Sequence, residues 1–416
     1  MKNENENPRL TVLAKVLIAA ALLVAAVLVH TFVLPYFSSN HEMSIMATGR
    51  GFTYDFDSGA AFHSNDSRFF YYVTRDMVRF INSNEVTEWQ FPQNFINPWL
   101  SARGNYVAVG EERGGLNISV FNENGLRFQV TLENPVLSFW VNETGFLSVI
   151  AQYEGGYGIY VFNEHKTSTP LFHWDIYDDL VTPTHVEVSP DGKYVAITIV
   201  DLSFNVRSSV QFRYINQRDA WGTEQGRFAT QDFSGEFVTA LRFMDGNRLI
   251  IATTERITCF QLGPGHTASR ELWTIELENA KTHIEFYKGT HFAFATGDRL
   301  LTTTGDGDPI GTVHIYGING NPTGRFELGR RATHLRMGHN SIIAGGDRSF
   351  HAMNFRGMPL WEYTSLFDTR DLLFLDNTNT ILVAGSNQAE IFERRRVREE
   401  NRENEFEFGI EEDFLP

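Results

Sequence analysis

The sequence predicts an all-β protein, an eight-bladed β-propeller that follows one N-terminal transmembrane helix. A unit of apolar strands separated by polar turns recurs eight times between residues 51 and 393, at steps of about 40 to 50 residues, which are typical of propeller blades. Seven of these units close with a fourth, aromatic strand, such as TEWQF or PLWEYT. The eighth lacks one, but GFTYDF at 51–56 precedes the first unit and has no partner. We therefore expect both ends of the repeat region to build one blade, which leaves no exposed sheet edge.

The helix prediction rests on residues 16–34, VLIAAALLVAAVLVHTFVL, which contain no formal charge. A helix needs about 20 such residues to cross a bilayer. Lys2, Arg9 and Lys15 precede the segment, and Arg50 is the first basic residue after it. The positive-inside rule then places the amino terminus in the cytoplasm.

The predicted organisation is a cytoplasmic segment at 1–15, the helix at 16–34, a linker at 35–50, the propeller at 51–393 and a charged, disordered tail at 394–416. Everything after the helix is expected outside the cytoplasmic membrane. A cleaved signal peptide is the alternative, although the bulky HTFVLPYF after the apolar core has no small-x-small cleavage pattern. Seven blades is the alternative to eight, because the HNSIIAGG unit is short.

The triplet threonine-histidine-aliphatic opens three of the units, in PTHVEV, KTHIEF and ATHLRM, and places His185, His283 and His334 at equivalent positions. We expect them on the innermost strands of the fourth, sixth and seventh blades. Each is interpreted as bonding to the backbone of its own or the next blade, with a channel-lining role as the alternative. A shared metal is disfavoured, because zinc needs ligand nitrogens at about 2.0 to 2.1 Å and these blades are spread around a ring.

Composition argues against several functions. The formal net charge is −16, so a nucleic-acid partner, which would need a positive surface, is not expected. The single cysteine, Cys259, cannot form an intramolecular disulfide, and no cofactor is expected. The sequence contains no nucleophile elbow, no HExxH, no Walker loop and no GxGxxG.

The turn sequences show a resemblance. VSPDGKYVAI at 188–197 resembles the inner hairpin of WD40-like propellers, and NENGLRFQV, GINGNPTGRFEL and NFRGMPLWEY resemble turns of quinoprotein-type (PQQ-like) repeats. With an N-terminal anchor, the chain is similar to bacterial cell-envelope propellers, including the scaffold lipoproteins of outer-membrane assembly. The resemblance implies the fold and is weak for function, since this fold carries many activities.

The sequence therefore predicts a non-catalytic, membrane-anchored module that binds an envelope protein. Trp99, Tyr177 and Trp221 lie in or beside connecting stretches where a partner could bind, and Trp221 falls in the longest unit. The alternative is a ligand-sensing propeller or a hydrolase that uses the mouth of the channel. The tail at 394–416 could also act as a linear docking motif.

Overall fold

The computed structural model describes residues 43–55, 60–64, 69–178, 180–203, 207–216, 226–263, 269–279, 281–297, 311–346, 348–376 and 380–396. Their 32 strands, β1 to β32 in chain order, form eight sheets of four strands each. The predicted eight-bladed propeller is confirmed. The blades lie in a compact unit at Ile45–Arg394, and Met1–Ser44 with Arg395–Pro416 form a second unit.

The first four blades follow one another along the chain. Blade 1 contains β2 (Ala61–Ser64), β3 (Phe69–Val73), β4 (Met77–Asn82) and β5 (Thr87–Pro92). Blade 2 contains β6 (Pro98–Arg103), β7 (Tyr106–Glu111), β8 (Asn117–Asn122) and β9 (Gly125–Thr131). Blade 3 contains β10 (Val136–Val141), β11 (Leu147–Tyr153), β12 (Gly156–Phe162) and β13 (Phe172–Ile176). Blade 4 contains β14 (Val181–Val188), β15 (Tyr194–Asp201), β16 (Arg207–Tyr214) and β17 (Arg227–Ser234).

The last four blades complete the ring. Blade 5 contains β18 (Val238–Met244), β19 (Arg248–Thr253), β20 (Arg256–Leu262) and β21 (Ser269–Glu276). A 3₁₀ turn at Asp245–Asn247 joins β18 to β19. Blade 6 contains β22 (Lys281–Tyr287), β23 (His291–Thr296), β24 (Thr312–Gly317) and β25 (Pro322–Glu327). Blade 7 contains β26 (His334–Gly338), β27 (Ser341–Gly346), β28 (Ser349–Asn354) and β29 (Pro359–Thr364). Blade 8 contains β30 (Asp371–Asp376), β31 (Thr380–Ala384), β32 (Gln388–Arg396) and β1 (Met43–Thr53).

Strands from both ends of the repeat region form blade 8, as the unpaired strand GFTYDF predicted. Its strand order is β1-β32-β31-β30. Thr48 Oγ1 donates to the carbonyl of Ile391 at 2.7 Å, and the Tyr54 amide donates to that of Asn387 at 2.9 Å. As the residue number rises along β1 it falls along β32, so the two strands run antiparallel.

The closing strand begins earlier than the sequence pattern indicates. β1 starts at Met43, so it takes in residues 43–50, which the sequence pattern assigns to the linker. Backbone pairing beside β32 does not require an apolar pattern, and an ion pair between Arg50 and Glu393 supports the polar part of the strand. β32 extends in turn to Arg396, three residues beyond the predicted end of the propeller.

The short seventh unit is a complete blade. β26 and β27 are joined by the two residues His339 and Asn340, and Asn340 has a φ of 59°. Asparagine tolerates this left-handed conformation better than most residues. A two-residue turn therefore shortens the unit without removing a strand.

The core consists of eight apolar clusters, one between each pair of adjacent blades. Phe62, Phe70, Leu382 and Ile391 belong to the cluster that joins blade 8 to blade 1. The second strand of a blade is covered by neighbours on both faces, and β27 is buried along its whole length. Such strands are continuous apolar runs rather than alternating ones.

The antiparallel strands give the ring two different faces. Turns between first and second strands, such as 104–105, and between third and fourth strands, such as 355–358, lie on one face, which we call the lower face. Turns between second and third strands, such as 74–76, and the connections between blades, such as 177–180, lie on the upper face. β1 begins and β32 ends on the lower face.

The transmembrane prediction falls on residues 16–34, which lie outside the described residues, as does the tail at 397–416. Within the described part of the chain, no helix has the length and apolar character needed to span a bilayer.

Candidate functional site

The first strand of each blade lines a central channel. Alternate side chains of these strands point away from the blade interfaces, as shown by β14, where Val186 and Val188 are buried between blades. His185 and Glu187 occupy the intervening positions. The histidine of each triplet and the residue two positions later therefore share the channel side of their strands.

The three triplet histidines have different surroundings. The His185 ring lies 4.5 Å from that of Trp140, and its Nε2 lies 3.7 Å from a Glu187 carboxylate oxygen. Burial lowers the pKa of His283, and the positive charges of His334 and Arg336 lower it further. Its Nδ1 is buried and has no hydrogen-bond partner among the residues that the structure describes.

His334 contacts both its own blade and the next. Its Nε2 lies 2.9 Å from the carbonyl oxygen of Arg370, and its Nδ1 lies 2.9 Å from Thr333 Oγ1. Across the described residues, no three or more His, Cys, Asp and Glu side chains are arranged to hold a metal ion.

Sequence reasoning missed a belt of charges two positions after the triplet histidine. Glu187, Arg242, Glu285 and Arg336 occupy this position in blades 4 to 7, with the sign alternating from blade to blade. The signal was present in the strings HVE, HIE and HLR. Only the ring closure brings these side chains together.

Ion pairs connect this belt across blades. Arg103, at the end of β6 in blade 2, pairs with Glu187 in blade 4. Arg336 lies 2.8 Å from an Asp371 oxygen in blade 8 and 3.8 Å from one of Glu285 in blade 6. Removing one partner of the buried Arg103–Glu187 pair would leave the other charged and poorly solvated, so this pair cross-links blades 2 and 4.

The two glutamates of the belt respond to burial in opposite ways. Burial raises the pKa of Glu187, but Arg103 and His185 outweigh it, so the pKa lies below its usual range. Burial also raises the pKa of Glu285, and there Arg336 and Arg103 offset only part of the effect, so the pKa stays above its usual range. Equivalent positions thus carry carboxyls of different acidity.

A cavity of about 690 Å³ occupies the channel beside blades 1, 2, 6, 7 and 8. Its wall combines the aromatic Trp99, the charged Glu285, Arg336 and Asp371, and small apolar side chains such as Ala61. His63 also faces it, and burial lowers the pKa of His63 to about 4, so this imidazole is neutral at physiological pH. The cavity can accommodate a small polar molecule or a side chain of a partner.

The upper face carries most of the exposed apolar side chains. Among the described residues, the exposed large apolar side chains at this face are Ile96, Trp99, Leu116, Tyr177, Leu180, Leu202, Phe237 and Leu366. Val86, Leu126 and Met358, the others, lie at the lower face or the lower end of a strand. Eight of these eleven exposed side chains of the described residues therefore lie on the upper face.

The structure places two of the three predicted partner-binding residues on this face. Trp99 is 47% exposed at the upper end of β6 and lines the channel cavity. Tyr177 is 79% exposed in the connection between blades 3 and 4. Trp221 lies outside the described residues. The strands before and after it, β16 and β17, end at Tyr214 and begin at Arg227 on the lower face.

Solved structures with a similar fold are distant in sequence. Yeast (Saccharomyces cerevisiae) Sqt1 has 13% sequence identity and a TM-score of 0.51, with 82% of this chain and 97% of that chain covered. BamB from Moraxella catarrhalis has 12% identity and a TM-score of 0.47, with 84% and 100% covered. The WD40 domain of Toxoplasma gondii coronin has 11% identity and a TM-score of 0.47, with 86% and 88% covered. At these identities, similarity indicates the fold alone.

No curated protein matches the chain. The sequence profile of one family, described as a family of unknown function (DUF5711), matches residues 56–393. This range covers nearly the whole propeller and most of the chain. The protein therefore belongs to the DUF5711 family.

Proposed function

We propose that the protein is a membrane-anchored, extracytoplasmic propeller that binds a protein partner through its upper face and catalyses no reaction. One observation carries the proposal: the exposed apolar side chains gather on the upper face, whereas β1 begins and β32 ends on the lower face. A chain segment that tethers the propeller through β1 leaves the upper face free.

The anchor in this proposal is the uncharged segment at 16–34, with Lys2, Arg9 and Lys15 before it. The positive-inside rule puts the propeller outside the cytoplasm. Residues 35–42 separate the segment from β1 and can span at most about 3.6 Å per residue.

Site-specific photo-crosslinking in living cells tests the proposal. A benzoylphenylalanine is placed at Tyr177, Phe237 or Ile96 on the upper face, and at Val86 or Met358 on the lower face as matched exposed controls. We expect one discrete cross-linked protein from the upper-face positions alone. Equal cross-linking from both faces, or none from either, contradicts the proposal.

The channel cavity favours one second candidate function, the binding of a small polar molecule beside Trp99 and Arg336. Native mass spectrometry of the purified protein tests it. A bound molecule that is lost in Trp99→Ala and kept in Met358→Ala supports this candidate. Identical masses of the folded and unfolded wild-type protein argue against it.

A further inference from the structure

The upper face carries a compact apolar patch at the junction of blades 3 and 4, which we call the junction patch: Tyr153, Tyr177, Leu180 and Leu202. Tyr177 is 79%, Leu180 50% and Leu202 49% exposed. The rings of Tyr153 and Tyr177 lie 5.9 Å apart. The Leu202 amide donates to the Leu180 carbonyl at 2.9 Å, so the two leucines are held side by side.

Short polar contacts fix the backbone under this patch. The Asp178 side chain accepts from the Leu180 amide at 2.9 Å, and its carbonyl accepts from the Val181 amide at 3.1 Å. Asp201 accepts from the Ser203 amide at 3.0 Å. Because these hydrogen bonds hold the backbone at Leu180 and beside Leu202, less conformational entropy is lost there when a partner binds.

Among the described residues, four carboxylates adjoin members of the junction patch: Glu154, Asp178 and Asp201 are chain neighbours of Tyr153, Tyr177 and Leu202, and Asp175 accepts from the Tyr177 hydroxyl at 3.4 Å. Asp175 lies 2.9 Å from His173, and Asp201 lies 3.2 Å from Arg207. Glu154 and Asp178 are exposed and form no ion pair with any residue of the described chain. The edge of the patch is therefore negative.

We propose that the junction patch docks a partner protein segment that combines apolar side chains with lysines or arginines. The inference rests on the proposed function and specifies the chemistry of the partner. Apolar side chains of the segment cover the leucines, and its cations meet Glu154 and Asp178 and the face of Tyr177. Charge complementarity of this kind speeds association and rejects acidic partners.

Other occupants fit the charges less well. An anionic lipid surface is repelled by the carboxylates at the edge of the patch. A second copy of this chain that presents the same patch places acid against acid. Peptides remain the complementary class, since they can provide apolar and basic side chains within one short segment.

A phage-displayed library of random peptides, selected on the purified full-length protein, tests the inference. We expect the enriched sequences to contain aromatic or aliphatic residues together with Lys or Arg. The best peptide is then synthesised and its affinity measured by fluorescence anisotropy. Tyr177→Ser with Leu180→Ser should weaken binding about tenfold or more, while Val86→Ser with Met358→Ser on the lower face should leave it unchanged.

Charge variants test the second half of the inference. Glu154→Lys with Asp178→Asn removes the negative edge, and the amide oxygen introduced at position 178 can still accept from the Leu180 amide. We expect about threefold to tenfold weaker binding, and a weaker dependence of affinity on salt. Glu123→Lys, on the lower face, is the matched control and should have no effect.

Acidic or neutral enriched peptides, no enrichment, or binding that is insensitive to the Tyr177 and Leu180 changes overturns the inference. Self-association that these two changes abolish also overturns it, because the occupant is then a second copy. The cross-linking experiment reports separately on the proposed function. If a partner cross-links at Tyr177 through an acidic segment, the result contradicts this inference but supports the proposed protein-binding function.

Discussion

Arg103 of blade 2 forms an ion pair with Glu187 of blade 4, so the pair passes over the innermost strand of the blade between them. The Glu187 side chain is 2% and the Arg103 side chain 18% exposed. The Phe243 amide of blade 5 also lies 3.4 Å from Glu187. The Glu187 carboxylate of blade 4 therefore contacts both blade 2 and blade 5.

We expect Glu187→Ala and Arg103→Ala each to lower the free energy of unfolding by about 3 kcal/mol, since each leaves a poorly solvated charge without its partner. The double variant should lose clearly less than the sum of the two. Urea unfolding of the four proteins measures both quantities. Strictly additive losses would show that the ion pair does not couple the blades.

The two belt glutamates should give opposite pH dependences. The folded-state pKa of Glu187 is lowered, so its stabilisation is present above the unfolded pKa of about 4.3 and disappears as the pH falls through the folded value. The folded-state pKa of Glu285 is raised. Its contribution is greatest below the unfolded pKa and is lost as the pH rises through the folded value.

At neutral pH we therefore expect Glu187→Gln to destabilise the protein, and Glu285→Gln to leave stability unchanged or raise it by up to about 1 kcal/mol. The difference between Glu187→Gln and wild type should shrink as the pH is lowered below about 4.3, the unfolded pKa, toward the folded value. Urea midpoints measured across this range provide the comparison. The same sign for both variants at neutral pH would contradict it.

The closing strand should depend on the absence of a side chain at Gly51. A Cβ placed there would lie 2.4 Å from the Ala389 carbonyl oxygen of β32. We expect Gly51→Ala to lower the free energy of unfolding by about 2 kcal/mol, because backbone cannot move aside as a flexible side chain can. Thermal unfolding measures the loss.

Gly263→Ala is the matched control, since no atom in the described part of the chain lies within 4 Å of a Cβ at that glycine. It should change stability by less than about 0.5 kcal/mol. If both variants unfold at the wild-type temperature, the pairing of β1 with β32 contributes little to stability.

The single cysteine allows the orientation of the propeller to be measured. Cys259 is fully buried, and burial raises the pKa of its thiol to about 12, so the native protein should not react with a maleimide. Unfolding should expose one reactive thiol. Labelling of the folded wild-type protein would contradict the buried position.

Glu123→Cys then introduces the one reactive thiol, on an exposed lower-face turn. We expect a membrane-impermeant maleimide to label this variant in intact spheroplasts, because the proposed orientation places the propeller outside the cytoplasm. The wild-type protein is the unlabelled control. Labelling only after lysis would place the propeller in the cytoplasm and overturn the proposed localisation.

Much of the fold was predictable because each blade is encoded locally. The string THVEVSPDGKYVAI contains an alternating strand, a turn and a buried strand, and the structure forms them as β14 and β15. The missing eighth outer strand and the unpaired GFTYDF predicted the closure. The start of β1 at Met43 was not predictable, because MSIMATGR has no clear apolar alternation.

The candidate sites were less predictable. Trp99 and Tyr177 were identified from their positions in or beside connecting stretches, and both lie on the upper face. The triplet histidines drew attention, yet the charges two residues later form the belt that links the blades. The histidines were conspicuous because the same residue type is repeated, whereas the charged position of the repeat alternates between glutamate and arginine.

The sequence by itself determined the repeating unit, the number of blades and the way the ring closes, because turn residues and strand periodicity act over a few neighbouring positions. Only the tertiary structure decided that Arg103 meets Glu187 and that Tyr177, Leu180 and Leu202 share one acidic-edged patch. These contacts join residues from different strands and blades. They depend on the curvature of the ring and on the two faces that antiparallel strands create, neither of which is contained in a single unit of the repeat.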